Sequence, residues 1–134
     1  MTKEELKQIY YINKEIRMWQ RELDRLQCKS LIGSQNLDGL PKGNGTSDKV
    51  ADLAIEKEEI REIINGKLTE IQVQRKRILN YIESISDSTT RQIVYLYCVS
   101  NLNWHQVARE LGEGYTADGV KQTYYRHLKK NGIN

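Results

Sequence analysis

The chain has 134 residues, of which 38% are hydrophobic and 29% are charged, and it contains no phenylalanine and a single proline, Pro41. This balance favours one domain, or one small domain with an appendage, built from elongated helices with a narrow apolar seam, over a thick globular core. The net charge of +3 is too small to establish a nucleic-acid partner by itself, and no apolar run is long enough to span a membrane.

The first predicted element is a helix from about Lys3 to Lys29. Its apolar residues recur in alternating steps of three and four, which is the seam of a supercoiling helix. They are Ile9, Ile12, Ile16, Trp19, Leu23 and Leu26.

A loop is predicted next, from Ser30 to Ser47, because SLIGSQNLDGLPKGNGTS collects four glycines, the proline and small polar residues. A second long helix is predicted from about Asp48 to Ile85. Its apolar stripe slips next to Asn65-Gly66, where we expect a kink or stutter but no break. The stripe consists of Leu53, Ile60, Ile64, Leu68, Ile71, Ile78, Ile82 and Ile85.

The two long helices cannot bury their stripes alone, so we expect them to form an antiparallel, coiled-coil-like hairpin. The apolar length that remains on the longer helix favours a homo-oligomer formed through this hairpin. From Asp87 the pattern changes to short helices. The predicted fold is therefore all-α, with a helical hairpin domain (1–86) and a small C-terminal domain of three helices (87–134).

The segment NWHQVARELG is the most informative part of the C-terminal domain. Asn103 can cap a helix, Val107 points inward, and Ala108 suits a close helix crossing. Gly112 can end the helix in a left-handed conformation. A small residue followed four positions later by glycine is typical of the first helix and turn of a helix-turn-helix.

The last helix then follows a two-residue insertion, Glu113-Gly114, after which Thr116 can cap it and the buried stripe falls at Val120, Tyr124 and Leu128. Side chains on its other face are predicted to contact double-stranded DNA, those near its start through base edges and those further along through phosphates. The predicted contact residues are Thr116, Ala117, Asp118, Lys121, Gln122, Tyr125, Arg126, Lys129 and Lys130. From Gly119 onward the chain has no acidic residue.

Residues 87–130, through RQIVYLYCVSNLNWHQVARELG and VKQTYYRHL, resemble the fourth region of bacterial sigma factors, the helix-turn-helix that reads the upstream promoter element. With its N-terminal helix, a loop such as LPKGNGTSDKVADLAI, the long charged helix and this motif, the chain as a whole is similar to the ArpU/RinA-type late transcriptional regulators of phages and prophages in Gram-positive bacteria. The resemblance implies a regulator of phage late genes, with RNA polymerase as a second partner.

Two alternatives remain open from the sequence. Small terminase subunits, which recognise DNA for packaging, also join a helix-turn-helix to an oligomerising hairpin. An adaptor that binds RNA polymerase or another protein through the long hairpin is the other alternative.

No catalytic grouping is readable, so we do not expect an enzyme. Cys28 and Cys98 stand alone, which predicts neither a zinc site nor a disulfide, and no cofactor is expected. The sequence start lacks the apolar core of a signal peptide, which favours the cytoplasm.

Overall fold

The computed structural model of the chain describes the backbone of residues 1–35 and 45–133 and the side chains of residues 1–29 and 49–133. Helices account for 83% of the structure, and the described residues contain no β-strand. The predicted all-helical class is therefore confirmed. Within the same part of the chain, no helix combines the length and the apolar character needed to cross a membrane.

The first predicted helix is present as two helices, α1 (Lys3–Leu6) and α2 (Gln8–Gln35). Thr2 begins α1 with a capping box, in which its hydroxyl accepts from the Glu5 N–H at 3.1 Å and the Glu5 carboxylate accepts from the Thr2 N–H at 2.6 Å. The predicted seam is confirmed by burial, since four of its residues are buried and the other two are half-buried. The buried residues are Ile9, Ile12, Ile16 and Leu26, and the half-buried ones are Trp19 and Leu23.

The second long helix, α3, spans Gly45–Glu83. The loop predicted for 30–47 is therefore wrong at both ends, because α2 continues to Gln35 and α3 begins at Gly45. Gly33 is the residue of SLIGSQ with the largest helix penalty, about 1 kcal/mol, and a helix of 28 residues accommodates it. The rest of the predicted loop, 36–44, lies outside the described residues.

The predicted stripe on α3 is wrong at Leu68, whose side chain is 48% exposed. Lys67 takes the seam position instead, half-buried and paired with Glu15, because a lysine stem can lie along apolar surface while its ammonium reaches a charged partner. With Lys67 in the seam, α3 continues through Gly66 in steps of three and four without the predicted slip. The buried and half-buried seam positions of α3 are Leu53, Lys57, Ile60, Ile64, Lys67, Ile71, Gln74, Ile78 and Ile82, and Ile85 is buried just beyond the end of the helix.

One compact unit, Lys14–Thr69, contains parts of α2 and α3. Glu15 of α2 pairs with Lys67 of α3, and the guanidinium of Arg25 interacts electrostatically with Glu56. The α2 residue with the higher number, Arg25, thus interacts with the α3 residue of lower number, Glu56. This order is the one expected for the antiparallel packing that the sequence predicts, and that packing stays a prediction.

The other compact unit consists of Met1–Asn13 and Glu70–Asn134. Its C-terminal part contains α4 (Ser88–Val94), one π-helical turn (Tyr95–Val99), α5 (Trp104–Leu111) and α6 (Ala117–Lys130). All three helices lie where the sequence predicts short helices.

The core of this second unit draws on both of its chain segments. Leu6 and Ile9 come from the first segment and are buried in one cluster with residues of α3, α4, the π-helical turn, α5 and α6. The compact units thus divide the chain at different places from the domains predicted as 1–86 and 87–134, and those domains stay a prediction. The cluster consists of Leu6, Ile9, Ile78, Ile82, Ile85, Ile93, Val94, Cys98, Val107, Ala108, Val120, Tyr124 and Leu128.

Candidate nucleic-acid interface

Helix α5 begins at Asn103 with a second capping box. The Asn103 side-chain oxygen accepts from the Gln106 N–H at 2.9 Å, and the Gln106 side-chain oxygen accepts from the Asn103 N–H at 2.9 Å. Val107 is fully buried and Ala108 is 7% exposed, while Leu111 is half-buried. The predicted cap and the predicted inner face of α5 are both confirmed.

The turn after α5 depends on glycine. Gly112 has φ 104° and ψ −163°, so its φ is positive as predicted. This pair of angles is nonetheless an extended region open essentially to glycine alone, and not the left-handed helical region that we predicted. Gly114 also has a positive φ, 89°. Thr116 then caps α6 as predicted, because its hydroxyl oxygen accepts from the Gly119 N–H at 3.0 Å.

The inner face of α6 is formed by Val120, Tyr124 and Leu128, which are 1%, 1% and 3% exposed. They lie in the same buried cluster as Val107 and Ala108 of α5. The spacing of four residues in the sequence predicts this stripe, and the burial confirms it. The rotation of α6 about its own axis is thereby set.

The outer face of α6 carries the side chains predicted to contact DNA. All of them are exposed except Ala117, which is half-buried. Asp118, the one acidic residue of α6, lies in its first turn, where a negative charge interacts favourably with the helix dipole. The exposed residues are Thr116, Asp118, Lys121, Gln122, Tyr125, Arg126, Lys129 and Lys130.

A shallow groove of about 470 Å³ runs along this outer face. Its lining brings together a carboxylate, an ammonium, an amide, a phenol and a guanidinium, from Asp118, Lys121, Gln122, Tyr125 and Arg126. Donors and acceptors thus alternate on one exposed strip. Such a strip suits a partner that presents polar edges and negative charge.

Arg126 and Lys130 also border a second, polar cleft of about 400 Å³, together with Ser86 and Asp87. The Asp87 carboxylate caps α4 by accepting from the hydroxyl and the backbone N–H of Thr90, at 2.6 and 2.9 Å. These two hydrogen bonds hold the pKa of Asp87 below its usual value. This flank of α6 is therefore mixed in charge, as is the groove beside Lys121, which the carboxylate of Asp118 also lines.

An aromatic cluster supports the Lys121 flank from below. Trp104 stacks on Tyr97 with ring centroids 3.8 Å apart and an interplanar angle of 17°, and its ring lies 5.3 Å from that of Tyr124 and 6.3 Å from that of Tyr125. Trp104 thus packs within the unit. The ring of Tyr125 therefore packs against this aromatic cluster, although its own side chain is 38% exposed.

Two lysines near the start of the chain contact this cluster. The Lys7 ammonium donates to the Tyr97 hydroxyl at 2.7 Å and lies 4.1 Å from the centroid of the Tyr97 ring. The Lys3 ammonium lies 5.1 Å from the centroid of the Tyr125 ring. Sequence reasoning did not include Lys3 in the candidate site. Periodicity could not have found it, because the two partners of this cation–π contact lie at opposite ends of the chain.

Two polar pairs beneath α6 are buried or half-buried. The Cys98 thiol and the Tyr124 hydroxyl share a hydrogen bond at 3.6 Å, and burial raises the pKa of Cys98 to about 11. The nitrogen Nε2 of His127 lies 2.8 Å from the Tyr81 hydroxyl oxygen. Burial, followed by the nearby charge of Lys130, lowers the pKa of His127. A protonated, buried thiol is a poor nucleophile, and we assign both pairs to packing.

The chemistry available on the outer surface of α6 is hydrogen bonding and charge. Among the described side chains, those of residues 1–29 and 49–133, no three His, Cys, Asp or Glu come together in a way that could hold a metal ion. Comparison with protein families, with curated proteins and with solved structures finds no match to this chain.

Proposed function

We propose that this protein binds double-stranded DNA through a helix-turn-helix in which α5 is the first helix and α6 is the recognition helix, with α4 and its π-helical turn packed beside them. The observation that carries the proposal is the burial of Val120, Tyr124 and Leu128 against the cluster that contains Val107 and Ala108. This packing leaves the opposite side of α6 exposed along its length. A recognition helix needs such an arrangement, with one face docked on its own domain and the other free to enter the major groove.

The order of side chains along α6 supports the assignment. Lys121 and Gln122 lie in the first half of the helix, where recognition helices usually meet base edges, and they suit guanine and adenine respectively. Arg126, Lys129 and Lys130 lie in the second half and suit phosphates. Tyr125 lies between the residues assigned to bases and those assigned to phosphates, and Thr116 lies at the turn before α6. Both add polar groups to the same surface.

The charge of the outer face supports a polyanionic partner. Four cationic side chains follow Gly119 and no acidic residue does, while Asp118 sits at the positive end of the helix. An α-helical face of this kind attracts the phosphates of DNA of any sequence through its charge. It favours one particular DNA sequence through contacts with the bases.

Transcriptional regulation of phage or prophage late genes is the cellular role that we propose for this activity. It rests on the sequence resemblances alone, as do RNA polymerase as a further partner and a cytoplasmic location. A homo-oligomer formed through α2 and α3 is part of the same proposal, supported by the seams on both helices.

Selection of bound sequences from a random duplex pool tests the proposal. We expect a specific duplex to emerge that binds roughly 10³-fold or more tightly than random DNA. Lys121→Ala and Gln122→Ala should each reduce that preference roughly 5- to 150-fold, which corresponds to one good base contact. Arg126→Ala and Lys129→Ala should instead weaken all duplexes and reduce the slope of log affinity against log salt by about 0.9 each.

Lys29→Ala is the matched control, since it removes an exposed lysine that lies outside α6. Affinity that is indifferent to DNA sequence and unchanged in all four α6 variants would refute the proposal. The native mass of the same sample separates the alternatives, because a ring of eight or more subunits would point to a packaging subunit of the terminase type.

A further inference from the structure

The N-terminal helix α1 brings a cation to the edge of the proposed recognition surface. The Lys3 ammonium lies over the ring of Tyr125, and Tyr125 lines the outer groove of α6 beside Lys121 and Gln122. Among the residues that the structure describes, the Lys3 ammonium makes no hydrogen bond or ion pair. Its charge is thus available to a partner that occupies the groove.

The position of Lys3 is fixed by the packing of α1. Leu6 is fully buried in the core cluster that also holds Val120 and Tyr124 of α6. The Glu5 carboxylate caps α1 through Thr2 and accepts from Arg77 at 3.0 Å. Lys3 is consequently held next to Tyr125 by contacts in which its own side chain has no part.

The acidic neighbours of Lys3 do not cancel its charge at this surface. Glu5 accepts a hydrogen bond from the backbone of Thr2 and is paired with Arg77 of α3. Both interactions lower the pKa of Glu5, and the bond from Thr2 has the larger effect. Glu4 follows Lys3 directly, and successive residues of a helix point about 100° apart, so that they do not share a face.

We propose that Lys3 is part of the DNA-binding surface and contacts a backbone phosphate of the strand next to Tyr125 when α6 lies in the major groove. This proposal rests on the proposed function, and it adds a contact from α1, outside the helix-turn-helix. Tyr125 has two functions in this arrangement. Its ring holds the Lys3 ammonium through the cation–π contact, and its side chain lines the groove.

The test is a salt titration of duplex binding by the full chain, with Lys3→Met, Lys3→Arg and the control Lys29→Met. Lysine neutralises one phosphate, so Lys3→Met should reduce the slope of log affinity against log salt by about 0.9. At 0.1 M salt this corresponds to an affinity about eightfold lower, for specific and random duplexes alike. Lys3→Arg and Lys29→Met should both keep the wild-type slope.

A measurement on the unaltered chain removes any dependence on how the variants fold. Acylation of lysine amines should be slowed at Lys3 by bound duplex and unchanged at Lys29. If wild-type protein binds duplex DNA but Lys3→Met keeps the full slope and Lys3 is acylated at the free rate, the inference about Lys3 is overturned while the proposed function stands. If the wild-type protein binds no duplex, both the proposed function and this inference fail.

Discussion

Replacing Leu6 with alanine tests whether α1 belongs to the unit that carries α6. Leu6 is fully buried and lies in one cluster with Val120, Tyr124 and Leu128. Loss of a buried leucine costs its transfer free energy plus that of the cavity left behind, about 2–5 kcal/mol. For a unit of 60–100 residues, each kcal/mol lowers the melting temperature by about 4–8 °C, so a loss of ~3 kcal/mol means a decrease of ~12–24 °C.

Leu68→Ala is the matched control, because the chemical change is the same and the side chain is 48% exposed. Alanine and leucine have similar helix propensities, so the backbone contributes little to either variant. We expect Leu68→Ala to change the free energy of unfolding by no more than about 1 kcal/mol. Urea and thermal unfolding followed by circular dichroism measure both variants, with unchanged urea slopes showing that the comparison is valid.

The reasoning would be refuted if the two substitutions cost the same, or if Leu68→Ala cost more. A small effect at Leu6 would mean that α1 does not pack on the C-terminal helices. A large effect at Leu68 would mean that the seam of α3 passes through Leu68, as the hydrophobic pattern predicts, and not through Lys67.

Two further predictions concern glycine and histidine. Gly66→Ala should raise the free energy of unfolding by about 1 kcal/mol, because an added Cβ meets nothing within 4 Å in a helical position. Gly112→Ala should lower the free energy of unfolding by about 1–3 kcal/mol, because an added Cβ also meets nothing within 4 Å but φ is 104°. Urea unfolding measures both variants, and free energies of unfolding that change in the same direction would contradict the two predictions. The lowered pKa of His127 means that the folded chain favours the neutral imidazole, so stability should decrease as pH falls below the usual histidine pKa of about 6.5. His127→Gln should flatten stability between about pH 7 and pH 5, a range above that in which carboxylates titrate, and an unchanged slope would argue against the burial of this ring.

Local patterns in the sequence were sufficient to predict the all-helical class and the buried faces of individual helices. The spacing of Val120, Tyr124 and Leu128 predicts which face of α6 is buried, and the burial confirms it. Asn103 and Thr116 predict the starts of α5 and α6, because a capping side chain bonds to a backbone amide only three residues away. These are short-range effects, and a sequence displays them directly.

The wrong prediction for the seam of α3 has a physical cause outside that helix. Leu68 is more hydrophobic than Lys67, so a count of apolar residues assigns the seam to Leu68, although the structure places the stem of Lys67 there, with Glu15 as the partner of its charge. Glu15 belongs to the other helix of the unit. A choice between two neighbouring residues of α3 thus depends on a residue far away in the sequence, and no periodicity within α3 contains that information.

The candidate site shows the same division between what is local and what is not. The exposed residues of α6 follow from its own buried stripe. The residues that support or extend this surface come from other helices, as Lys3 and Lys7 do from the start of the chain and Trp104 does from α5. Their positions depend on how the helices pack, which neither composition nor helical spacing determines.

The packing of α1 has a consequence for how the proposed DNA-binding surface would work. Leu6 and Ile9 share a core with the inner face of α6, so the residues that hold α6 in place come from both chain segments of the unit. An outer face that reads base edges must keep its side chains within a fraction of an ångström to discriminate between bases. The short segment 87–134 contains α6 but not all of the core beneath it. The precision of the proposed recognition surface is therefore a property of the whole compact unit, in which Leu6 and Ile9 contribute to rigidity and Lys3 contributes charge.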